Sequence, residues 1–105
     1  MLLHLKANEF NKEVLQSNQP VLVDFSATWC GPCQMMGPVM EKLATEFEGK
    51  AKVAKVDIDE CSDLAMQYHI MSVPSMLFFK NGEIKEQVVG AVPAEHLSEK
   101  LNSLL

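Results

Sequence analysis

Residues 21–33 read VLVDFSATWCGPC, an apolar run followed closely by two cysteines that flank a glycine and a proline. The first five residues are almost all β-branched or aromatic, which predicts a strand covered on both faces. After Cys33, apolar residues recur at spacings of three and four as far as Phe47, which predicts a helix ending near Gly49. The segment therefore predicts a strand, a short turn that carries the cysteines, and a helix.

Three other apolar runs predict further strands. Residues 52–58 follow the predicted helix and should lie parallel to the first strand, because a crossover helix joins parallel neighbours. Residues 75–80 and 84–89 flank Asn81-Gly82, a strong signal for a hairpin turn and hence for antiparallel pairing. The predicted sheet is therefore mixed.

Shorter helices are predicted elsewhere in the chain. Asn8 can cap a helix near the start, Ser62 can cap a short helix after the second strand, and Pro93 can open a last helix. No linker, repeat or low-complexity tract suggests a boundary, so residues 1–105 are expected to form one domain. The fold class expected is α/β, a central mixed sheet with helices on both faces.

Composition excludes several classes of partner. The chain has 105 residues and 48% hydrophobic content, enough for one core, and its net charge of -5 would repel a nucleic-acid backbone. No apolar run approaches the ~20 residues of a membrane span. The first residues lack the basic and apolar parts of a secretory signal, so a cytoplasmic location is expected.

The position of the cysteine pair suggests redox chemistry. Cys30 should lie where the helix starts and Cys33 one turn inside it, where a slightly tightened first turn can close a disulfide. Free N–H groups and the positive end of the helix dipole favour the thiolate form of Cys30. Because Cys33 is held beside it, an intramolecular attack can replace a bimolecular one.

A zinc site is the alternative interpretation of a Cys-x-x-Cys motif. It would need two further ligands, and the candidates are Cys61, His4, His69 and His96. None of these residues forms a second close pair, and a βαβ setting favours redox use of the cysteines. No metal is therefore expected.

Residues 23–33 resemble the active-site segment of thioredoxins, and four more segments match that family in order and spacing: residues 56–59, 72–75, 78–82 and 89–91. Bacterial members usually carry tryptophan where this chain has Ser26, so the sequence resembles the eukaryotic type. The resemblance implies the thioredoxin fold, with about five strands and about four helices.

The same resemblance implies a protein-disulfide reductase that acts by dithiol–disulfide exchange. Cys30 would attack the disulfide of a target protein and Cys33 would resolve the mixed disulfide, so that the chain donates electrons to its targets. A thioredoxin reductase using NADPH would recharge the pair, with no cofactor bound to the chain itself. A monomer is expected.

Two charged residues are implied in proton transfer. Asp24 interrupts an apolar strand, where burial of a carboxylate is costly, so it should titrate above an ordinary aspartate. The resemblance makes it the group that exchanges a proton with Cys33; a structural aspartate satisfied by local hydrogen bonds is the alternative. Lys55 matches a lysine that tunes this carboxylate, or it is a solvated cation.

The resemblance also implies a substrate-binding surface around the cysteines. It makes the Val73–Pro74 peptide bond cis and places it against the disulfide, so that the backbone of Val73 can pair with an extended target segment. Gly90 either contacts targets or serves a turn with positive φ. The expected binding residues are Trp29, Gly31, Pro32, Met71, Val73, Pro74, Gly90 and Ala91.

Two points stay open at this stage, the role of Cys61 and whether the chain reduces or oxidises its targets. Cys61 is either a reactive, regulatory thiol at a helix start or an inert buried side chain. Disulfide oxidases and isomerases usually carry histidine before the second cysteine, so Pro32 favours a reductant. A binding module that uses the same groove without turnover is the non-enzymatic alternative.

Overall fold

The computed structural model describes residues 1–105, and its strands form one five-stranded sheet. In chain order they are β1 (Leu2–His4), β2 (Val21–Ser26), β3 (Lys52–Asp57), β4 (Ser75–Lys80) and β5 (Glu83–Val89). The order across the sheet is β1-β3-β2-β4-β5. The pairs β1–β3 and β3–β2 are parallel, whereas β2–β4 and β4–β5 are antiparallel, so the sheet is mixed as predicted.

Four α-helices pack around the sheet: α1 (Ala7–Phe10), α2 (Gly31–Glu46), α3 (Ser62–Gln67) and α4 (Ala94–Asn102). The first of them continues directly into a π-helical segment, Asn11–Leu15. None of the helices has both the length and the apolar composition needed to cross a membrane. Strands and helices together confirm the predicted α/β fold class.

Strand β2 lies between two apolar cores, and all six of its residues are buried. Side chains alternate between the faces of a strand. Leu22 therefore packs with α2 and α4, through residues such as Met40 and Leu97. Val23 and Phe25 pack on the opposite face, in a cluster that also contains Phe10, Val14, Val56 and Phe79. The covered strand predicted from the sequence is thus the centre of the fold.

Two helix caps differ from their predictions. Asn8 lies inside α1 rather than before it; that helix starts after Lys6, whose backbone N–H donates to Oε1 of Glu9 at 2.8 Å. A glutamate three residues into a helix accepts from the backbone N–H of the cap residue, which is one half of a capping box. Ser62 is the first residue of α3, and Cys61 occupies the cap position without a capping hydrogen bond.

Candidate active site

The site lies at the edge of the sheet where the parallel strands β2 and β3 both end. A short connection after Ser26 leads to Cys30, the N-cap of α2, and another after Asp57 leads to Cys61, the N-cap of α3. Carboxyl ends of adjacent parallel strands face the same edge of a sheet. Two connecting segments that are distant in sequence therefore meet here.

Cys30 and Cys33 form a disulfide, with Cα atoms 5.2 Å apart. Cys30 has extended backbone angles and its Sγ accepts a hydrogen bond from the backbone N–H of Cys33 at 3.2 Å. Gly31 and Pro32 form the first turn of α2, where a missing proline N–H costs no helical hydrogen bond. The predicted placement of both cysteines is confirmed.

An apolar cleft of about 480 Å³ opens beside the disulfide. Two chain segments line it, residues 29–32 and residues 70–73, together with Ile58. Sγ of Cys30 lies 3.7 Å from the carbonyl oxygen of Val73, and the Val73–Pro74 peptide bond is cis, as the resemblance implied. The cleft thus brings one sulfur of the pair next to the backbone of the half-buried Val73.

Two large side chains on this cleft are open to solvent. Trp29 is 66% exposed, and its indole Nε1–H donates to Oδ2 of Asp59 at 2.9 Å, which fixes the ring at the mouth of the cleft. Met71 is 93% exposed. An exposed apolar surface next to a reactive group is typical of a protein-binding site.

The remaining residues predicted for binding lie next to this cleft rather than in its lining. Pro74 is buried, and its carbonyl oxygen accepts a hydrogen bond from the backbone N–H of Gly90 at 2.8 Å. Gly90 has φ of +93°, the positive value foreseen for it, whereas its contact with targets stays a prediction. Ala91 follows it and is exposed.

Asp24 lies behind the disulfide, on the face of β2 that α2 covers. It is 1% exposed, and its Oδ1 atom has no hydrogen-bond partner. Burial raises the pKa of Asp24 to about 6, although the positive charge of Lys55 lowers it in part. Lys55 is the residue paired with Asp24 in the β2–β3 register. The structure thus contains the buried carboxyl with a raised pKa that the sequence predicted.

A second cleft, polar in its lining, lies on the other side of the pair and also measures about 480 Å³. Its lining includes Cys33, Ser26, Lys55 and Asp57, but not Cys30. The two cysteines of the disulfide therefore border different clefts. Solvent has access to the neighbourhood of Cys33 without passing through the apolar cleft.

Comparison with known proteins agrees with this geometry. The family model described as Thioredoxin matches residues 1–103. The chain belongs to the thioredoxin family. It is similar to "Thioredoxin" of Chlorobaculum thiosulfatiphilum, with 50% identity over 93 residues that cover 89% of this chain and 86% of the relative.

Two other relatives illustrate the spread of the thioredoxin family. "Thioredoxin 1" of Nostoc sp. is 51% identical over 96 residues, covering 91% of this chain and 90% of the relative. "Thioredoxin M-type, chloroplastic" of Spinacia oleracea is 50% identical over 92 residues, covering 88% of this chain and 51% of the relative. These relatives are bacterial and chloroplastic, so the eukaryotic type inferred from Ser26 stays a prediction.

Membership of the thioredoxin family confirms two predictions, the thioredoxin fold and the class of activity. Thioredoxins are thiol–disulfide oxidoreductases, and so is this chain. Its only disulfide is the Cys30–Cys33 pair, which supplies the two redox-active sulfurs that dithiol–disulfide exchange needs. No three or more His, Cys, Asp or Glu side chains are grouped so that they can hold a metal ion.

Cys61 is the free cysteine of this thioredoxin, and it is 3% exposed. Burial raises the pKa of its thiol, and the carboxylates of Glu60 and Asp57 raise it further; a backbone hydrogen bond at Ala7 opposes them. The reactive alternative relied on a helix start to acidify this sulfur, but the pKa shifts in the opposite direction. The structure supports the packing alternative for Cys61.

Sequence reasoning missed three contributors to the thioredoxin site. Ile58 and Ile70 line the apolar cleft, and Asp59 holds Trp29 in place. A signal for two of them was present: residue 58 ends the predicted strand 52–58 and residue 59 follows it, and loops after parallel strands gather at one edge. Nothing in the local pattern around Ile70 distinguishes it from an ordinary core residue.

Proposed function

We propose that this chain is a protein-disulfide reductase in which Cys30 attacks target disulfides and Cys33 resolves the mixed disulfide. The observation that carries the proposal is the asymmetry of the pair. Cys30 borders the apolar cleft and lies 3.7 Å from the Val73 carbonyl oxygen, whereas Cys33 is inside α2 and borders the polar cleft. A target that fills the apolar cleft therefore meets Cys30 first.

Two exchange steps complete the reduction. The thiolate of Cys30 attacks one sulfur of the target disulfide, forming a mixed disulfide and releasing the other target sulfur as a thiolate, which takes up a proton. The thiolate of Cys33 then attacks Sγ of Cys30, closing the internal disulfide and releasing the first target sulfur. Two electrons pass from the dithiol to the target. The N–H of Cys33, which donates to Sγ of Cys30, supports the thiolate needed in the first step.

Asp24 is proposed as the base that removes the proton of Cys33 before the second step. Its raised pKa, about 6, makes it a stronger base than an ordinary aspartate and still leaves it largely ionised at neutral pH. Because Asp24 and Cys33 flank the same interface between β2 and α2, a water molecule can connect them. Lys55 lowers the pKa of Asp24 and thereby keeps the carboxylate available.

Target proteins are proposed to dock as extended segments on the apolar cleft. The backbone at Val73, which lines the cleft, can pair with the main chain of a target, which gives affinity without reading its side chains. Trp29, Met71, Gly31 and Pro32 supply apolar contact area around it. We include Pro74, Gly90 and Ala91 in this surface because Gly90 is hydrogen-bonded to Pro74. Broad selectivity for protein disulfides follows.

Recharging requires an external source of two electrons. The proposed donor is a thioredoxin reductase that draws electrons from NADPH, and the proposed working form is a cytoplasmic monomer. Support comes from the chemistry of the site: the pair must be reduced again after each turnover, and a reducing compartment supplies that electron flow. Nothing else bound to the chain is required.

The decisive test is reduction of insulin disulfides by NADPH and thioredoxin reductase. Replacing the attacking sulfur in Cys30→Ser should abolish turnover, since a serine hydroxyl does not carry out thiol–disulfide exchange at neutral pH. Cys33→Ser should instead accumulate a stable mixed disulfide through Cys30. Cys61→Ala, which removes a cysteine outside the site, is the matched control and should retain activity. Turnover by Cys30→Ser at the parent rate would refute the mechanism.

A further inference from the structure

The methionines of this chain divide sharply by exposure. Of the seven, three are essentially buried, Met36, Met40 and Met76 at 1%, 0% and 0%. The other four are open to solvent, Met1, Met35, Met66 and Met71 at 79%, 70%, 76% and 93%. Only the thioethers of the second group are freely accessible to dissolved oxidants.

Among the exposed methionines, only Met71 lines the apolar cleft beside the disulfide. It lies two residues before Val73 in the same lining segment, and the carbonyl oxygen of Val73 approaches Cys30. Met66 lies on α3 and Met35 on α2, and neither lines that cleft. A chemical change at Met71 therefore alters the docking surface, whereas the same change at the other two does not.

We propose that Met71 is a reversible oxidation site through which peroxide weakens the docking of target proteins, an inference that rests on the reductase function proposed above. The Met71 sulfur gives two electrons to hydrogen peroxide. The O–O bond breaks, one oxygen forms the S–O bond of the sulfoxide, and the other leaves as water. A methionine sulfoxide reductase, which returns two electrons, reverses the change.

The effect on docking follows from polarity. A thioether is apolar and flexible and adapts to varied partners, whereas a sulfoxide carries a strong hydrogen-bond acceptor. A target that covers this group with apolar atoms leaves the acceptor without a partner. From the cost of burying an unpaired polar group we expect about a threefold to tenfold loss in kcat/KM for a protein disulfide.

In the disulfide form of the chain, the cysteines do not compete with the methionines for peroxide. Cys30 and Cys33 are then bonded to each other and offer no thiolate to peroxide, and Cys61 is buried. Hydrogen peroxide applied to the disulfide form should therefore act on the exposed methionines alone. Peptide mapping by mass spectrometry should find one added oxygen on Met71 and none on Met36, Met40 or Met76.

The functional test compares treated with untreated protein for each variant separately, because Met71 belongs to the docking surface and its replacement can alter activity by itself. Leucine conserves apolar volume but cannot be oxidised. Peroxide treatment should lower the insulin-reducing activity of the parent and of two control variants, Met66→Leu and Met35→Leu, by the same fraction. Met71→Leu should keep its own untreated activity. Reduction of a small aromatic disulfide, which needs little docking, should fall much less in the parent.

A second readout is repair. Methionine sulfoxide reductase should restore insulin reduction by the treated parent, with an unchanged thermal midpoint before and after. The inference is overturned if Met71 stays unmodified, if Met71→Leu loses as much activity as the parent, or if repair restores nothing. Failure of the proposed reductase function would look different: the untreated parent itself would not reduce insulin.

Discussion

Asp24 is a buried carboxyl with an unpartnered oxygen atom in the most covered strand of the molecule. Its pKa is about 6 in the folded chain against 3.8 for the ordinary group, mainly because burial disfavours the charged form. Between these two pH values the folded chain holds a proton that the unfolded chain has lost. The free energy of unfolding therefore falls as pH rises from about 4 to about 6, by about 3 kcal/mol in all.

Removing this carboxyl should stabilise the protein at neutral pH. We expect Asp24→Ala to raise the free energy of unfolding by about 1–3 kcal/mol at pH 8, the small cavity offsetting part of the gain. At pH 4, where Asp24 is protonated, the gain should vanish. Urea unfolding at both pH values measures it. Glu99→Ala, at an exposed position of α4, is the control. An equal gain at both pH values would contradict the raised pKa.

The proposed role of Asp24 as a base makes a separate prediction for activity. Only the thiolate form of a cysteine attacks a disulfide, so loss of the base slows the resolving step at neutral pH. Asp24→Asn should reduce insulin turnover about tenfold at pH 7. The deficit should shrink by pH 9, where hydroxide is abundant enough to take over part of the role of the base. A deficit that does not change with pH would indicate a structural role only.

Residue-level prediction succeeded where one residue departs from its local pattern. Asp24 interrupts an apolar run, and the cysteine pair sits at a strand-to-helix junction. It failed where the property depends on residues remote in sequence. The hydrogen bond between Trp29 and Asp59 joins two separate loops, and the pKa of Cys61 is set by burial, nearby carboxylates and a backbone hydrogen bond at Ala7.

At the scale of elements, the hairpin between β4 and β5 turns at Asn81 and Gly82, both with positive φ, +55° and +79°. This is the pattern predicted from the Asn-Gly pair. A Cβ atom at Gly82 would lie 3.0 Å from the carbonyl oxygen of Leu15, the last residue of the π-helical segment. The turn therefore packs tightly against an element from the start of the chain.

Gly82→Ala should destabilise the protein for two reasons, the positive φ and the contact with Leu15. Positive φ alone costs a residue with a Cβ atom about 1 kcal/mol, and the crowding adds about 1 kcal/mol more. Gly49→Ala isolates the first effect, because Gly49 has φ of +84° and no atom within 4 Å of its added Cβ. Urea unfolding should show about twice the loss for Gly82→Ala. Equal losses would mean that the turn moves freely away from Leu15.

Elements with long, strongly patterned sequences were predicted well, whereas the shortest strand and the π-helical segment were not. The run that became β2 is almost unbroken in its apolar residues. The run that became α2 carries apolar residues at spacings of three and four. Strand β1 has only Leu2–His4, too few residues to show any alternation, and it exists because β3 offers a free edge. The π-helical turn Asn11–Leu15 leaves no sequence signal that distinguishes it from an α-helix.

On the scale of the whole molecule, the two cores share β2, which supports the expectation of one domain over residues 1–105. The disulfide closes a short loop, with a sequence separation of 3. Constraining the unfolded chain in such a loop contributes about 2 kcal/mol. Reduction of the pair should therefore lower the thermal midpoint by about 10 °C, in one transition seen equally by near- and far-ultraviolet circular dichroism. Unchanged stability, or two separate transitions, would contradict this account.

Cys30 and Cys33 border different clefts, which separates the proposed site of target binding from the route of proton exchange. A target docked on the apolar cleft, as proposed, would leave the polar cleft bordered by Cys33, Lys55 and Asp57 open to bulk water. Protons could then exchange with solvent while the target remains bound, so that electron transfer and proton transfer would use different clefts.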